Sequence, residues 1–139
     1  MSGPVIVDTG PIVALLSRRD RHHAWAAAAW ASVKAPLLTC EAVLAEVCFL
    51  LGDQRAAALT LVGRGVIELS FSLGAEHERV AATMARYADV PMALAEACLV
   101  RMSELHATST VMTLDSDFRV YRRHGRQVIP LIIPPSQAR

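Results

Sequence analysis

Short apolar runs alternate along this chain with longer stretches of helical periodicity. Residues 5–8 form a β-branched run closed by Thr9-Gly10-Pro11. Thr9 or Gly10 can cap a helix there and Pro11 can occupy its first turn, so a helix is predicted through Leu16. Residues 23–33 are Ala-rich and helical, and 36–40 read as a second buried strand ending in a helix start near Thr39. Two helices, 41–51 and 54–62, are predicted around Gly52-Asp53, followed by a strand over 66–71 and an amphipathic helix over 76–87. Asp89-Val90-Pro91 breaks the chain before a long helix over 92–106. A strand over 111–114, a short helix over 117–123 and a strand over 128–133 complete the pattern, with Pro134-Pro135 opening a tail. Helices between short apolar strands predict an α/β fold of three layers, with a central, mostly parallel sheet of five strands covered on both faces. No repeat or low-complexity linker divides the chain, so one domain over 1–134 with a short tail over 135–139 is expected.

Composition narrows the classes. Of 139 residues, 53% are hydrophobic and few are aromatic, which predicts a core of Ala, Leu, Val and Ile. The net charge of +1 gives no global basic field, although Arg119, Arg122, Arg123 and Arg126 cluster locally. That cluster reads equally well as the solvated face of a last helix. The three cysteines, Cys40, Cys48 and Cys98, sit in apolar surroundings without metal-ligand spacing and are expected to be small core residues in a reducing compartment. Asp8 interrupts the first apolar run, and Glu46 and Glu96 break the best candidates for a membrane span. A soluble, cytoplasmic protein without a membrane partner is expected.

Chemistry enters with Asp8, Glu46, Glu96 and Asp115, four acids each isolated in or at the end of an apolar segment. Withdrawing an unpaired carboxylate from water costs several kcal/mol, so such acids need compensation. A shared pocket holding a hard divalent cation supplies it. In open α/β sheets ligands bind beyond the carboxyl ends of the strands, where strand order reverses. Asp8 and Asp115 end predicted strands, while Glu46 and Glu96 lie early in predicted helices, so the acids can converge at one edge if the strands are neighbours. Helix capping accounts for Asp8, and for Asp115 with Asp117, just as well. For Glu46 and Glu96 the alternative is an ion pair with a core-facing arginine such as Arg101 or Arg86. Glu41, Glu68, Glu76, Glu78 and Glu104 fall on polar faces and are expected to be solvated.

Other motifs fail on context. Asp8-Thr9-Gly10 matches the aspartic-protease tripeptide, but a helix follows it here, and Gly10 stands where a nucleophilic-aspartate phosphatase needs a second acid. The chain has no phosphate-binding loop, dinucleotide fingerprint, H-E-x-x-H or G-x-S-x-G, and His22-His23 fits an exposed cap region better than a metal site.

The ordered set Val5-Ile6-Val7-Asp8-Thr9-Gly10-Pro11, Thr39 with Glu46, Asp89-Val90-Pro91-Met92-Ala93-Leu94-Ala95-Glu96 and Thr113-Leu114-Asp115-Ser116-Asp117-Phe118 resembles the PIN domain, most closely the VapC-type toxin nucleases. The resemblance implies a metal-dependent endoribonuclease. It also implies a homodimer and neutralisation by a small antitoxin protein. Carried over position by position, the family's acids fall on Asp8, Glu46, Glu96 and Asp115. Asp117 is then an auxiliary acid, and Thr113 and Thr9 are polar supports. The third family acid is usually aspartate, so Glu96 extends that carboxylate by one methylene, and Ala93 replaces a polar residue often found nearby.

On this reading the four acids bind Mg²⁺ or Mn²⁺ to hydrolyse an RNA phosphodiester, and Arg119, Arg122 and Arg123 hold flanking phosphates. Two rivals belong to other classes. One is a non-catalytic PIN-like module that binds RNA or protein, with Glu96 marking a decayed site. The other is a phosphate-ester hydrolase for small substrates.

Overall fold

The computed structural model describes residues 3–135. In chain order the elements are β1 (Val5–Val7), α1 (Thr9–Leu16), α2 (His23–Ala31), β2 (Leu37–Thr39), α3 (Glu41–Leu51), α4 (Ala56–Gly63), β3 (Ile67–Leu69), α5 (Leu73–Arg86), α6 (Leu94–Leu105), β4 (Thr110–Met112), β5 (Arg122–Arg123), β6 (Gln127–Val128) and β7 (Leu131–Ile132). Short 3-10 turns at Gly52–Gln54 and Ser116–Arg119 join α3 to α4 and follow β4.

The main sheet has five strands in the order β3-β2-β1-β4-β7, and every neighbouring pair is parallel. Chain order runs outward from β1 through β2 to β3, then jumps back across to β4 and β7. The switch point therefore lies between β1 and β4, whose register pairs Val5 with Thr110 and Val7 with Met112. Among the helices α1 packs against α2, α3 and α4, and α5 packs against α6. The strands are short and apolar because both faces are covered, and Ile6, Val7, Val111 and Met112 are fully buried. Thr39 Oγ1 donates to the Val7 carbonyl (2.8 Å), tying β2 to β1 at the carboxyl edge of the sheet.

Helix starts follow local chemistry. The Asp8 side chain accepts from the Thr9 N–H at the start of α1, and the Ser72 Oγ accepts from the Ala75 N–H at the start of α5. The amphipathic helix thus begins at Leu73, three residues before the sequence expectation, because Ser72 supplies a cap. Two expectations fail near the carboxyl end. The helix over 117–123 is only a 3-10 turn through Arg119, and the strand over 128–133 is split. His124 and Gly125 have φ of 51° and 73°, the arrangement of a tight hairpin turn closed by the Arg126 N–H on the Arg123 carbonyl (2.9 Å), so β5 and β6 pair antiparallel away from the main sheet. The expected tail, past Pro135, lies outside the described residues. Among the described residues no helix is long and apolar enough to cross a membrane.

Candidate active site

Parallel β1 and β4 end side by side, and the residues that follow them face each other across the switch point. The Asp8 N–H donates to the Met112 carbonyl (2.9 Å), which places Asp8 and Thr113 opposite one another just past the strands. Asp8 is 7% exposed. Its Oδ1 accepts from the Thr9 N–H (2.7 Å), and its Oδ2 from the Thr113 hydroxyl (2.7 Å). The Thr113 oxygen in turn accepts from the Asp115 N–H (2.9 Å), and Asp115 Oδ1 accepts from the Asp117 N–H (2.9 Å). On the other side the Thr9 hydroxyl donates to Glu46 Oε1 (2.8 Å). One hydrogen-bonded path thus links Glu46, Thr9, Asp8, Thr113, Asp115 and Asp117. Asp8 does cap α1, yet it also belongs to this path, so capping and site formation coincide.

Glu96 reaches the same place from α6. Its Oε1 accepts from the backbone N–H of Ala93, the residue before the helix, forming half of a capping box. Asp8, Thr9, Gly10, Glu46, Glu96, Leu114 and Asp115 together line one open cavity of about 260 Å³. Gly10 lies close to Leu114: a Cβ there would meet the end of that side chain at 2.9 Å and displace it. The sequence singled out Thr9 and the acids but missed Gly10 and Leu114 as lining residues, because only tertiary proximity reveals them.

The electrostatics are unbalanced. Every donor on the path is a neutral hydroxyl or a backbone N–H. Among the described residues the ion pairs are those of Arg101 with Glu76 (2.7 Å) and with Glu104 (3.0 Å). The alternative in which Arg101 compensates Glu46 or Glu96 is thereby excluded, and Glu76 and Glu104, expected in solvent, are instead partners of that guanidinium. Burial, with smaller contributions from Asp115 and Glu46, pushes the Asp8 carboxyl up to about 6 despite its Thr113 and Thr9 donors. Burial and the charges of Asp8, Asp115 and Glu46 push Glu96 up to about 7. Tyr121, fully buried under this rim, is also shifted upward, first by burial and then by the field of Glu96, Asp117, Asp115 and Asp8.

Two further expectations need correction. Glu46 is exposed, because α3 buries only Val43 and Val47 and turns Ala45, Phe49 and Leu50 outward with it. An apolar neighbourhood in sequence is therefore not burial. Arg123 does not hold phosphates at the rim: it is 6% exposed, and its guanidinium donates to the Ala107 carbonyl (3.0 Å) and to the Ser109 carbonyl and hydroxyl (2.6 and 2.9 Å). Strand alternation at β5 turns it inward, where a helix would have kept it in solvent. Arg119 is exposed, and Arg122 is half-buried with Nη1 donating to the carbonyls of Arg119, Val120 and Tyr121.

The donor set, carboxylates and threonine hydroxyls without thiolate or imidazole, suits a hard divalent cation. Among the described residues no three acidic, His or Cys side chains are already gathered around one point. Glu46 accepts from the Thr9 hydroxyl, and Glu96 is folded back on the Ala93 N–H.

Comparison with known proteins agrees with this architecture. Over 132 residues the chain is 27% identical to Ribonuclease VapC26 of Mycobacterium tuberculosis (strain ATCC 25618 / H37Rv), covering 91% of this chain and 93% of that protein. It superposes on the crystal structure of Mycobacterium tuberculosis VapC20, described as a Sarcin-Ricin loop cleaving toxin, with a TM-score of 0.76 at 21% identity, covering 84% of this chain and 93% of the other. The profile of the PIN domain matches residues 5–123, so the chain belongs to the PIN domain family.

Proposed function

We propose that this protein is a metal-dependent endoribonuclease and the toxin of a toxin-antitoxin pair, acting in the cytoplasm. The observation that carries the reading is a cluster of carboxylates at the sheet's switch point with only neutral hydrogen-bond donors, in a chain related to a protein named a ribonuclease. Asp8, Glu46, Glu96 and Asp115 would hold Mg²⁺ or Mn²⁺. Such a cation supplies an activated water and neutralises charge on a scissile phosphodiester. Glu46 and Glu96 leave Thr9 and Ala93 to take part. Thr113 ties the Asp8 carboxylate to the Asp115 backbone N–H, the Thr9 hydroxyl holds Glu46 until a cation would draw it in, and Asp117 adds negative potential beside Asp115. Arg119 stands in solvent at the edge of this turn and meets flanking phosphate.

Protein partners fit the same face. Phe49 and Leu50 are 85% and 60% exposed and line, with Ala45 and Glu46, an apolar cavity of about 430 Å³ on α3. A partner seated there, a small antitoxin or a second copy in a homodimer, would shield apolar surface and the edge of the site together. Incubating purified protein with structured and single-stranded RNA, with Mn²⁺ and with chelator, tests the reading. Metal-dependent cutting that is lost in Asp8→Asn is the expected result. Cutting that survives both chelation and that substitution overturns it.

A further inference from the structure

A separate cleft of about 240 Å³ lies between α5 and the β5–β6 hairpin, with Arg79, Arg86, Glu104, Arg122, His124 and Gly125 in its wall. Arg79 and Arg86 are exposed and seven residues apart, which sets them on one face of α5 roughly 10 Å apart along the axis. The Arg86 guanidinium lies over Gly125, where a Cβ would collide with it. Glu104 is the one carboxylate in the wall, and both of its oxygens are engaged, by Arg101 and by the His124 N–H. Among the described residues no carboxylate lies within ion-pair distance of Arg79, Arg86 or Arg122. In a chain of net charge +1 this is a concentrated positive site.

The cleft is also tied to the carboxylate rim. Arg122 lies on the segment that leaves Asp115, its N–H donates to the Tyr87 hydroxyl (2.9 Å), and Tyr121 packs edge-on against both Tyr87 and Phe118 with centroids 5.1 Å apart. We infer that this cleft binds the phosphate backbone of RNA as a foothold outside the carboxylate site. The inference rests on the nuclease reading for its choice of ligand. Guanidinium forks match phosphate oxygens in pairs, and a rim of uncompensated acids repels a polyanion that is not anchored elsewhere.

The test is equilibrium binding of a fluorescent single-stranded RNA to the full chain in chelator, across a salt series. R79Q/R86Q is compared with the parent, with R79K/R86K, and with R18Q/R19Q, which removes equal charge from exposed arginines elsewhere. Loss of two phosphate contacts should weaken binding at least tenfold at low salt and reduce the slope of log K against log salt by about 1.4, at roughly 0.7 per contact. R79K/R86K should restore most of it and R18Q/R19Q should match the parent. Parallel behaviour of the two Gln pairs, absence of RNA binding by the parent, or equal displacement of RNA by polyglutamate, which would assign the cleft to an acidic protein segment, overturns the inference. Cleavage in Mn²⁺ separates the two readings: a cleaving parent with an unaltered R79Q/R86Q slope removes the cleft alone. A parent that never cleaves but shows the slope change removes the nuclease alone.

Discussion

Asp8 carries opposing demands. Its two donors hold it at the centre of the site, while burial and neighbouring charge oppose its ionisation. Asp8→Asn relieves that repulsion, so it should raise the melting temperature of metal-free protein while lowering cleavage by about 10²-fold or more. A lower melting temperature would contradict this account of the charge balance. The same shifts set a pH dependence. Asp8 and Glu96 titrate at about 6 and about 7 in the folded chain, above their ordinary values of 3.8 and 4.5, so the folded state binds protons more tightly than the unfolded one. Their contribution to stability is therefore present below about pH 4 and is lost as pH rises through 6 and 7. Thermal melts of metal-free protein should fall from pH 5 to pH 8, and added Mn²⁺ should restore stability chiefly at the upper end, where Asp8 and Glu96 are ionised and free to bind it as proposed. Thr113→Val removes the hydroxyl shared by Asp8 and the Asp115 N–H, and cleavage should drop roughly 10–100-fold with little change in fold by circular dichroism.

At the scale of elements, periodicity predicted the parallel strands and most helices because their burial follows from local pattern: β1 and β4 are apolar runs, and α5 has a clean polar face. The segment after Asp115 was misread because Arg119 to Arg126 carries charge at helical spacing, while His124-Gly125 in fact takes positive φ and forms a hairpin. Arg123 is the residue most affected. Its substitution by Ala should cost about 1–3 kcal/mol by orphaning the buried Ser109 carbonyl and hydroxyl, and leave the salt dependence of RNA binding unchanged. Urea melts and the binding series above separate that structural role from a phosphate contact. Glu96 was legible as an isolated acid on α6, but its bond to the Ala93 N–H was not, since capping boxes are expected behind Ser or Thr. Shortening it in Glu96→Asp gives up that cap. Initial cleavage rates across a Mn²⁺ titration should show activity within tenfold of the parent. A large gain from an inactive parent would instead favour the non-catalytic module.

Across the whole molecule, strand order was the quantity that no local pattern supplied. Convergence of Asp8 with Asp115 depends on β1 lying beside β4, and only long-range pairing decides that. The exposed apolar surface of α3 likewise depends on tertiary packing, because Ala, Leu and Phe at helical spacing do not distinguish core from interface. Phe49, 85% exposed, makes the distinction testable: Phe49→Asp should leave folding intact and abolish any self-association seen by light scattering of the parent. A parent that is monomeric at all concentrations would leave α3 to an antitoxin alone.

The central position of β1 has a temporal corollary. On the ribosome, Asp8 and Glu46 emerge early, but the strand that brings Thr113 and Asp115 alongside them is made only after Thr110. Parallel neighbours so distant in the chain cannot pair until that late stretch is free of the exit tunnel. A nascent chain thus cannot bring Asp8 and Asp115 together until residues 110–115 have been made and released.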